Sequence, residues 1–319
     1  MKIGFIGLGN VGGKLSGSLL RNNVNLYVRD LDLDLVQTFV DRGAGTAKTN
    51  KDLMEICDVV ITCLPSPAVS ASVMEAKDGI LAGMSDGKIW IEMSTTDQTE
   101  VLRLGELIIA KGGQAADCPV SGGCHRADTG NIAIFAGCTR ETFDTILSLL
   151  KKMGRRILHT GELGSASVLK VVTNYLATAN LLACSEALVT CKAAGMDLST
   201  AYEAIKISSG NSFVHETESQ VILNGSRDIS FTMDLVAKDI GLFQNIADRH
   251  NVPLEISPLL IDIFADGIER FGPREWSSNI IKRLEEATGL QIIAEGFPAI
   301  MTDDEPEESG YEIIPISRI

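Results

Sequence analysis

Two short stretches carry side chains whose types and spacing could do chemistry. In DCPVSGGCHRA, residues 117–127, Ser121 is followed directly by Gly122 and Gly123. One hydroxyl beside consecutive backbone N–H groups can converge on a single anion, and a carboxylate fits such a nest of donors. A plain turn would ask for one Gly or one Pro and would not need a hydroxyl ahead of a Gly pair. In VLKVVTNYLA, residues 168–177, Lys170 and Asn174 are four apart, so on a helix they project from one face about one turn apart. Their neighbours are apolar, a costly setting for a charge without a purpose. Desolvation lowers a lysine pKa, which would make Lys170 a usable proton donor and acceptor near neutral pH. The plainer alternatives are a snorkelling lysine and a solvent-facing serine loop.

A third stretch points to a bound dinucleotide. Gly7, Gly9 and Gly12 form G-x-G-x-x-G within GLGNVG, between an apolar strand and a segment with helical spacing at Val11, Leu15 and Leu19. Gly7 permits the tight turn, Gly9 lets a pyrophosphate approach, and Gly12 lets helix pack on strand, while helix N-terminal amides meet the phosphate charge. Asp30 follows the second strand at the expected distance, where a carboxylate accepts from the ribose hydroxyls and repels a 2′-phosphate. That favours NAD over NADP, although Arg29 and Arg21 are close enough in sequence to offer a phosphate a partner. In AKDIGLF, Lys238 and Asp239 stand at the expected start of another helix. Asp239 there reads as an ion-pair or capping carboxylate, and Lys238 as a residue able to reach the cofactor.

The elements that must position these residues alternate. NLYVRD, DVVITCLP, KIWIEM, QAADCPV, NIAIFAG and RRILHTG read as strands, and DLVQTFVDRGA and TTDQTEVLRLGELIIAKGG as helices between them. This predicts an α/β fold with an N-terminal Rossmann-type, doubly wound parallel sheet. After Gly164 the apolar period changes to three- and four-residue steps for some 30 residues, with Gly195 a natural stop. The expectation is an all-α C-terminal domain built on that long interdomain helix, with further helices around 199–208, 213–224, 234–250, 255–270 and 275–287. The expected domains are 1–163, 164–295 and an acidic tail, 296–319, either flexible or packed on a neighbouring subunit.

Composition excludes several classes of function. A formal net charge of −14 argues against a nucleic-acid partner. No apolar run is long enough for a membrane span, and MKIGFIGLG reads as strand and turn rather than as a signal peptide, so a cytoplasmic protein is expected. The seven cysteines include no C-x-x-C pair and read as reduced, buried thiols; with four scattered histidines, no metal site is expected.

Taken together, GLGNVG, DCPVSGG, the GELGSASVLKVVTN run and AKDIGLF, in that order, resemble the β-hydroxyacid dehydrogenase family of 3-hydroxyisobutyrate dehydrogenase-like enzymes, over about residues 1–290. The resemblance implies that Gly7, Gly9, Asn10, Val11, Gly12 and Asp30 bind the dinucleotide. It also implies that Leu64 and Pro65 of LPSP, with Ser94 and Thr95, line its nicotinamide side, and that Lys238 contacts it. By the same resemblance Ser121, Gly122 and Gly123 hold a substrate carboxylate, Lys170 is the catalytic lysine and Asn174 its substrate-orienting partner. The implied reaction is reversible oxidation of a small anionic hydroxy acid to its semialdehyde, in a homodimer or homotetramer. One departure stands out: the run reads GGCHRA, with Arg126 where family members carry glycine. Arg126 either binds a second anionic group of the substrate or points to solvent. An imine reductase and a non-catalytic dinucleotide-binding protein are the competing readings; Lys170 counts against both.

Overall fold

The computed structural model describes residues 1–316. The chain divides into two compact units, Met1–Lys170 together with the chain from Asp303 on, and Val171–Thr302. The division falls inside the long helix rather than at residue 163, and the C-terminal segment belongs to the first unit rather than forming a tail of its own.

In the first unit, ten strands among the described residues form one sheet: β1 (Lys2–Ile6), β2 (Asn25–Arg29), β3 (Gly45–Thr46), β4 (Val59–Thr62), β5 (Ile89–Glu92), β6 (Gln114–Asp117), β7 (Val120–Ser121), β8 (Ala133–Gly137), β9 (Arg156–Gly161) and β10 (Tyr311–Ile313). The order is β10-β9-β8-β6-β5-β4-β1-β2-β3, with β7 paired to β8. Pairings are parallel except β6 with β8 and β7 with β8. Strands such as β4 (VVIT) and β5 (IWIE) are buried at every residue, as expected of a parallel sheet with both faces covered. One face packs Phe5, Leu15, Leu19 and Phe143, the other Leu53, Met54, Trp90 and Leu104.

The register sets the working edge. Ile6 is level with Arg29 on one side and Thr62 on the other, Thr62 with Glu92, and Glu92 with Asp117. Five parallel strands therefore end together. The chain runs from β1 to β2 on one side and returns to β4 on the other, so β1 marks the switch point where such sheets bind ligands.

The second unit is helical: Leu198–Lys206, Phe213–Asn224, Met233–Arg249, Ile256–Phe271, a 3-10 turn at Ser277–Ile281 and Lys282–Thr288. The segment expected as one helix at 275–287 is thus two elements. The helix Ser165–Ala193 begins in the first unit and continues into the second, and Gly195, at φ +78°, follows its end. The core gathers Leu181, Leu188, Met233, Ile240 and Phe264. His215 lies fully buried here. Its ring nitrogens meet the Tyr202 carbonyl at 2.9 Å and the Ser219 hydroxyl at 3.2 Å. It is a satisfied core residue.

Candidate active site

The loop after β1 is shaped by close backbone approach. A Cβ on Gly12 would stand 1.9 Å from the Gly7 carbonyl oxygen, so only glycine lets the helix Gly12–Arg21 start against the turn. Around Gly9 nothing lies within 4 Å of the position a Cβ would take, and Gly9 and Asn10 are exposed. No side chain caps this helix, whose N-cap is Val11. Its first N–H groups suit a phosphate, and the open floor at Gly9 suits the pyrophosphate of a dinucleotide.

Asp30 is tied into the same loop. Its carboxylate accepts from the Leu8 N–H at 2.6 Å and the Asp32 N–H at 2.9 Å, which fixes the end of β2 against the glycine turn. Two more carboxylates, Asp32 and Asp34, follow, and Leu31, between Asp30 and Asp32, is 95% exposed. Both arginines singled out from the sequence are turned to protein partners: Arg29 to Asn50 Oδ1 and the Lys48 carbonyl, each at 2.7 Å, and Arg21 to the Asp128 carbonyl at 2.5 Å.

After β4 and β5, Ser94 works as a connector. Its hydroxyl donates to Glu92 Oε1 at 2.5 Å and accepts from the Leu64 N–H at 2.7 Å, tying the LPSP loop to the end of β5. Ser94 is 3% exposed, and its hydroxyl is engaged inside the protein. Pro65 is exposed and Thr95 half-buried. Glu92 is fully buried; burial pushes its carboxyl above the ordinary range, against donors at Ser94, Ser70 and Thr62.

Ser121 ends β7, paired opposite Ala133 of β8. Gly122 and Gly123 follow at φ +125° and +87°, successive left-handed positions that only glycine adopts without strain. A Cβ on Gly122 would also stand 3.2 Å from Arg126 Cδ, so the stem of Arg126 lies over this loop. The Arg126 guanidinium bonds Glu305 Oε1 at 3.2 Å and comes within 3.9 Å of Asp303. This corrects the expectation that the charge points to solvent, because the C-terminal segment folds back onto it.

Asp117 anchors the helix that carries the lysine. Fully buried at the end of β6, it accepts from the Gly164 N–H at 2.8 Å, the Ser167 N–H at 2.6 Å and the Ser167 hydroxyl at 2.8 Å. Burial raises the carboxyl's affinity for a proton, and the Gly164 and Ser167 donors oppose that rise. Lys170 follows Ser167 on the helix Ser165–Ala193 and is buried, at 9% exposure. A buried lysine on an anchored helix is suited to proton transfer, since its position is set before substrate arrives.

In the helical unit, Asn174 Nδ2 donates to Asp239 Oδ2 at 2.6 Å, and Lys238 Nζ lies 2.9 Å from Asp239 Oδ1. Asp239 is 2% exposed and stands inside the helix Met233–Arg249, so it caps nothing; it pairs Lys238 and turns the Asn174 amide. Stacking of Tyr175 on Phe243, ring centroids 4.2 Å apart, flanks this cluster.

Residues 2–161 match the sequence model of the NAD binding domain of 6-phosphogluconate dehydrogenase, and residues 164–284 that of the NAD-binding domain of NADP-dependent 3-hydroxyisobutyrate dehydrogenase. The chain is 32% identical to 2-(hydroxymethyl)glutarate dehydrogenase of Eubacterium barkeri, over 92% of this chain and 97% of that protein. The chain belongs to the β-hydroxyacid dehydrogenase family. Another relative is 3-sulfolactaldehyde reductase of Escherichia coli, 28% identical over 90% of this chain and 97% of that one. The fold is shared with Mycobacterium tuberculosis 3-hydroxyisobutyrate dehydrogenase, solved with L-serine, at a TM-score of 0.79 and 24% identity, covering 89% of this chain and 98% of that one.

Four contributors escaped the reading of the sequence of this β-hydroxyacid dehydrogenase. Asp117 stood inside DCPVSGG, and its signal was a carboxylate ending an otherwise small and apolar strand. Glu92 carried a similar signal in KIWIEM. Asp303 and Glu305 had none, since an acidic tail resembles any solvated segment.

Proposed function

We propose that this chain catalyses the reversible oxidation of a small anionic 3-hydroxy acid to its semialdehyde, with NAD rather than NADP. The observation that carries the reading is convergence at one edge of the sheet. The glycine loop and Asp30 follow strands that end level with one another, Asp117 at the level end of β6 anchors the helix that carries Lys170, and the Ser121–Gly123 loop follows β6 within a few residues. A bound nicotinamide supplies the hydride acceptor. The chain's own residues do the rest. Ser121 and the N–H groups at Gly122 and Gly123 hold the substrate carboxylate. Lys170, uncharged, takes the proton of the alcohol as its carbon loses hydride, and Asn174, one helical turn on, orients the hydroxyl. Three carboxylates at Asp30, Asp32 and Asp34, with both nearby arginines engaged elsewhere, support a site that accepts a ribose 2′-hydroxyl and resists a 2′-phosphate. Assembly as a homodimer or homotetramer belongs to the same reading, supported by the exposure of Leu176 on the long helix.

Initial rates of NADH formation on a panel of 3-hydroxy acids test it. Lys170→Ala is expected to lower kcat by about a thousandfold, the scale of a lost general base, with NAD affinity nearly unchanged. Full turnover in that variant would remove Lys170 from proton transfer. A higher kcat/KM with NADP than with NAD would refute the cofactor assignment.

A further inference from the structure

The C-terminal segment is built into the first unit. β10 adds in parallel to β9 at the sheet edge, Tyr311 level with Arg156. A Cβ on Gly310 would stand 2.2 Å from the Gly154 carbonyl, so the segment seats closely. Its carboxylates meet a row of arginines: Glu312 bonds Arg140 at 2.6 Å, Glu308 bonds Arg155 at 2.5 Å, and Glu305 bridges Arg126 at 3.2 Å and Arg156 at 3.3 Å. Asp303 goes deepest. Its side chain is 3% exposed and accepts from the Thr129 hydroxyl at 2.5 Å and the Asn131 amide at 2.7 Å; the same amide donates to the Glu305 carbonyl at 2.8 Å.

Two of these carboxylates fall on Arg126, whose stem lies over Gly122. We propose that Asp303 and Glu305 are specificity-determining residues: they neutralise Arg126 beside the carboxylate loop, so that this site favours substrates with a single carboxylate over those bearing a second anionic group. The physical reason is direct. A guanidinium that already holds carboxylates has little left to offer a second substrate anion. Removing the tail charge returns Arg126 to the substrate. This deepens the proposed dehydrogenase reading and rests on it for the position of the carboxylate.

The test compares wild type, Glu305→Gln, Arg126→Gln and the double variant on 3-hydroxyisobutyrate, with one carboxylate, and 2-(hydroxymethyl)glutarate, with two. Glu305 is partly exposed, and glutamine keeps its shape, so folding is not at stake. In Glu305→Gln the ratio of kcat/KM, diacid over monoacid, is expected to rise about tenfold, ~1.4 kcal/mol. The rise should come through KM for the diacid, with monoacid kcat and NAD KM unchanged, and it should disappear in the double variant. An unchanged ratio overturns the proposal, as does a rise that survives loss of Arg126. Equal losses for both acids together with a lower Tm would mark a purely structural tail and overturn it too. The stabilisation of the NAD complex by each acid, read as a shift in Tm, reports the same preference without turnover. A protein that oxidises neither acid but shows the expected binding ratio loses the dehydrogenase reading and keeps the tail's role; stabilisation by neither acid in any variant removes both.

Discussion

Replacing Asp117 with asparagine isolates what the buried cap contributes. The carboxylate satisfies two backbone N–H groups and one hydroxyl where the long helix begins. Asparagine has the same shape but a single acceptor oxygen. It can keep the Gly164 N–H, the Ser167 hydroxyl can turn to accept from the new amide, and the Ser167 N–H is left facing an NH2 group. One buried donor without a partner costs about 1–3 kcal/mol, and loss of the negative charge at a helix N-terminus up to about 2. Relief of the carboxylate's own desolvation offsets part of this, leaving about 2–4 kcal/mol. At roughly 2–4 °C per kcal/mol for a unit of this size, the melting temperature of Asp117→Asn falls by roughly 4–16 °C, measurable by calorimetry. Lys170 lies one turn beyond Ser167, so kcat is expected to fall at temperatures where the variant is fully folded, with NAD affinity nearly kept. A variant that melts within about 1 °C of wild type and turns over normally would refute the view that Asp117 holds the helix and its lysine in place.

Two further outcomes follow from buried titratable groups. Burial raises the Glu92 carboxyl, so the folded state holds its proton more tightly than the unfolded chain and stability falls as pH rises above the ordinary carboxylate value of about 4.3. Glu92→Gln, which keeps the acceptor for Ser94, is therefore expected to gain stability over wild type with rising pH, read from denaturant midpoints between pH 4 and 8; a pH-independent difference would show that folding leaves the Glu92 carboxyl titrating as it does in the unfolded chain. Burial also pushes the Cys57 and Cys138 thiols up to about 12 and raises those of Cys118 and Cys184. At pH 8 a thiol of pKa 12 is ionised in about one molecule in ten thousand, so a disulfide reagent should label half-buried Cys63 and Cys191 first in the native protein. Rapid labelling of the other five would contradict the packing.

The sequence by itself determined whatever depends on local geometry. The glycine spacing after β1 was legible because the tight approach of helix to turn leaves no room for a Cβ at Gly12. The Gly122–Gly123 pair was legible because two left-handed residues in succession require glycine. The helix carrying Lys170 and Asn174 was legible because a 3.6-residue period shows in any apolar face. Only the tertiary structure decided which polar groups meet across long separations. Arg126 and Glu305 are 179 residues apart, and no local pattern says that an acidic tail returns to that arginine rather than remaining in solvent. No local pattern shows that the Ser94 hydroxyl joins Leu64 to Glu92, or that Asp239, read as an ion-pair or capping carboxylate, pairs Lys238 and also holds the Asn174 amide 65 residues away. Charged and hydroxyl side chains pair with whatever the fold brings near, and their partners are set by the register of β1, β2, β4, β5 and β6 and by the return of β10, which no stretch of a few residues contains.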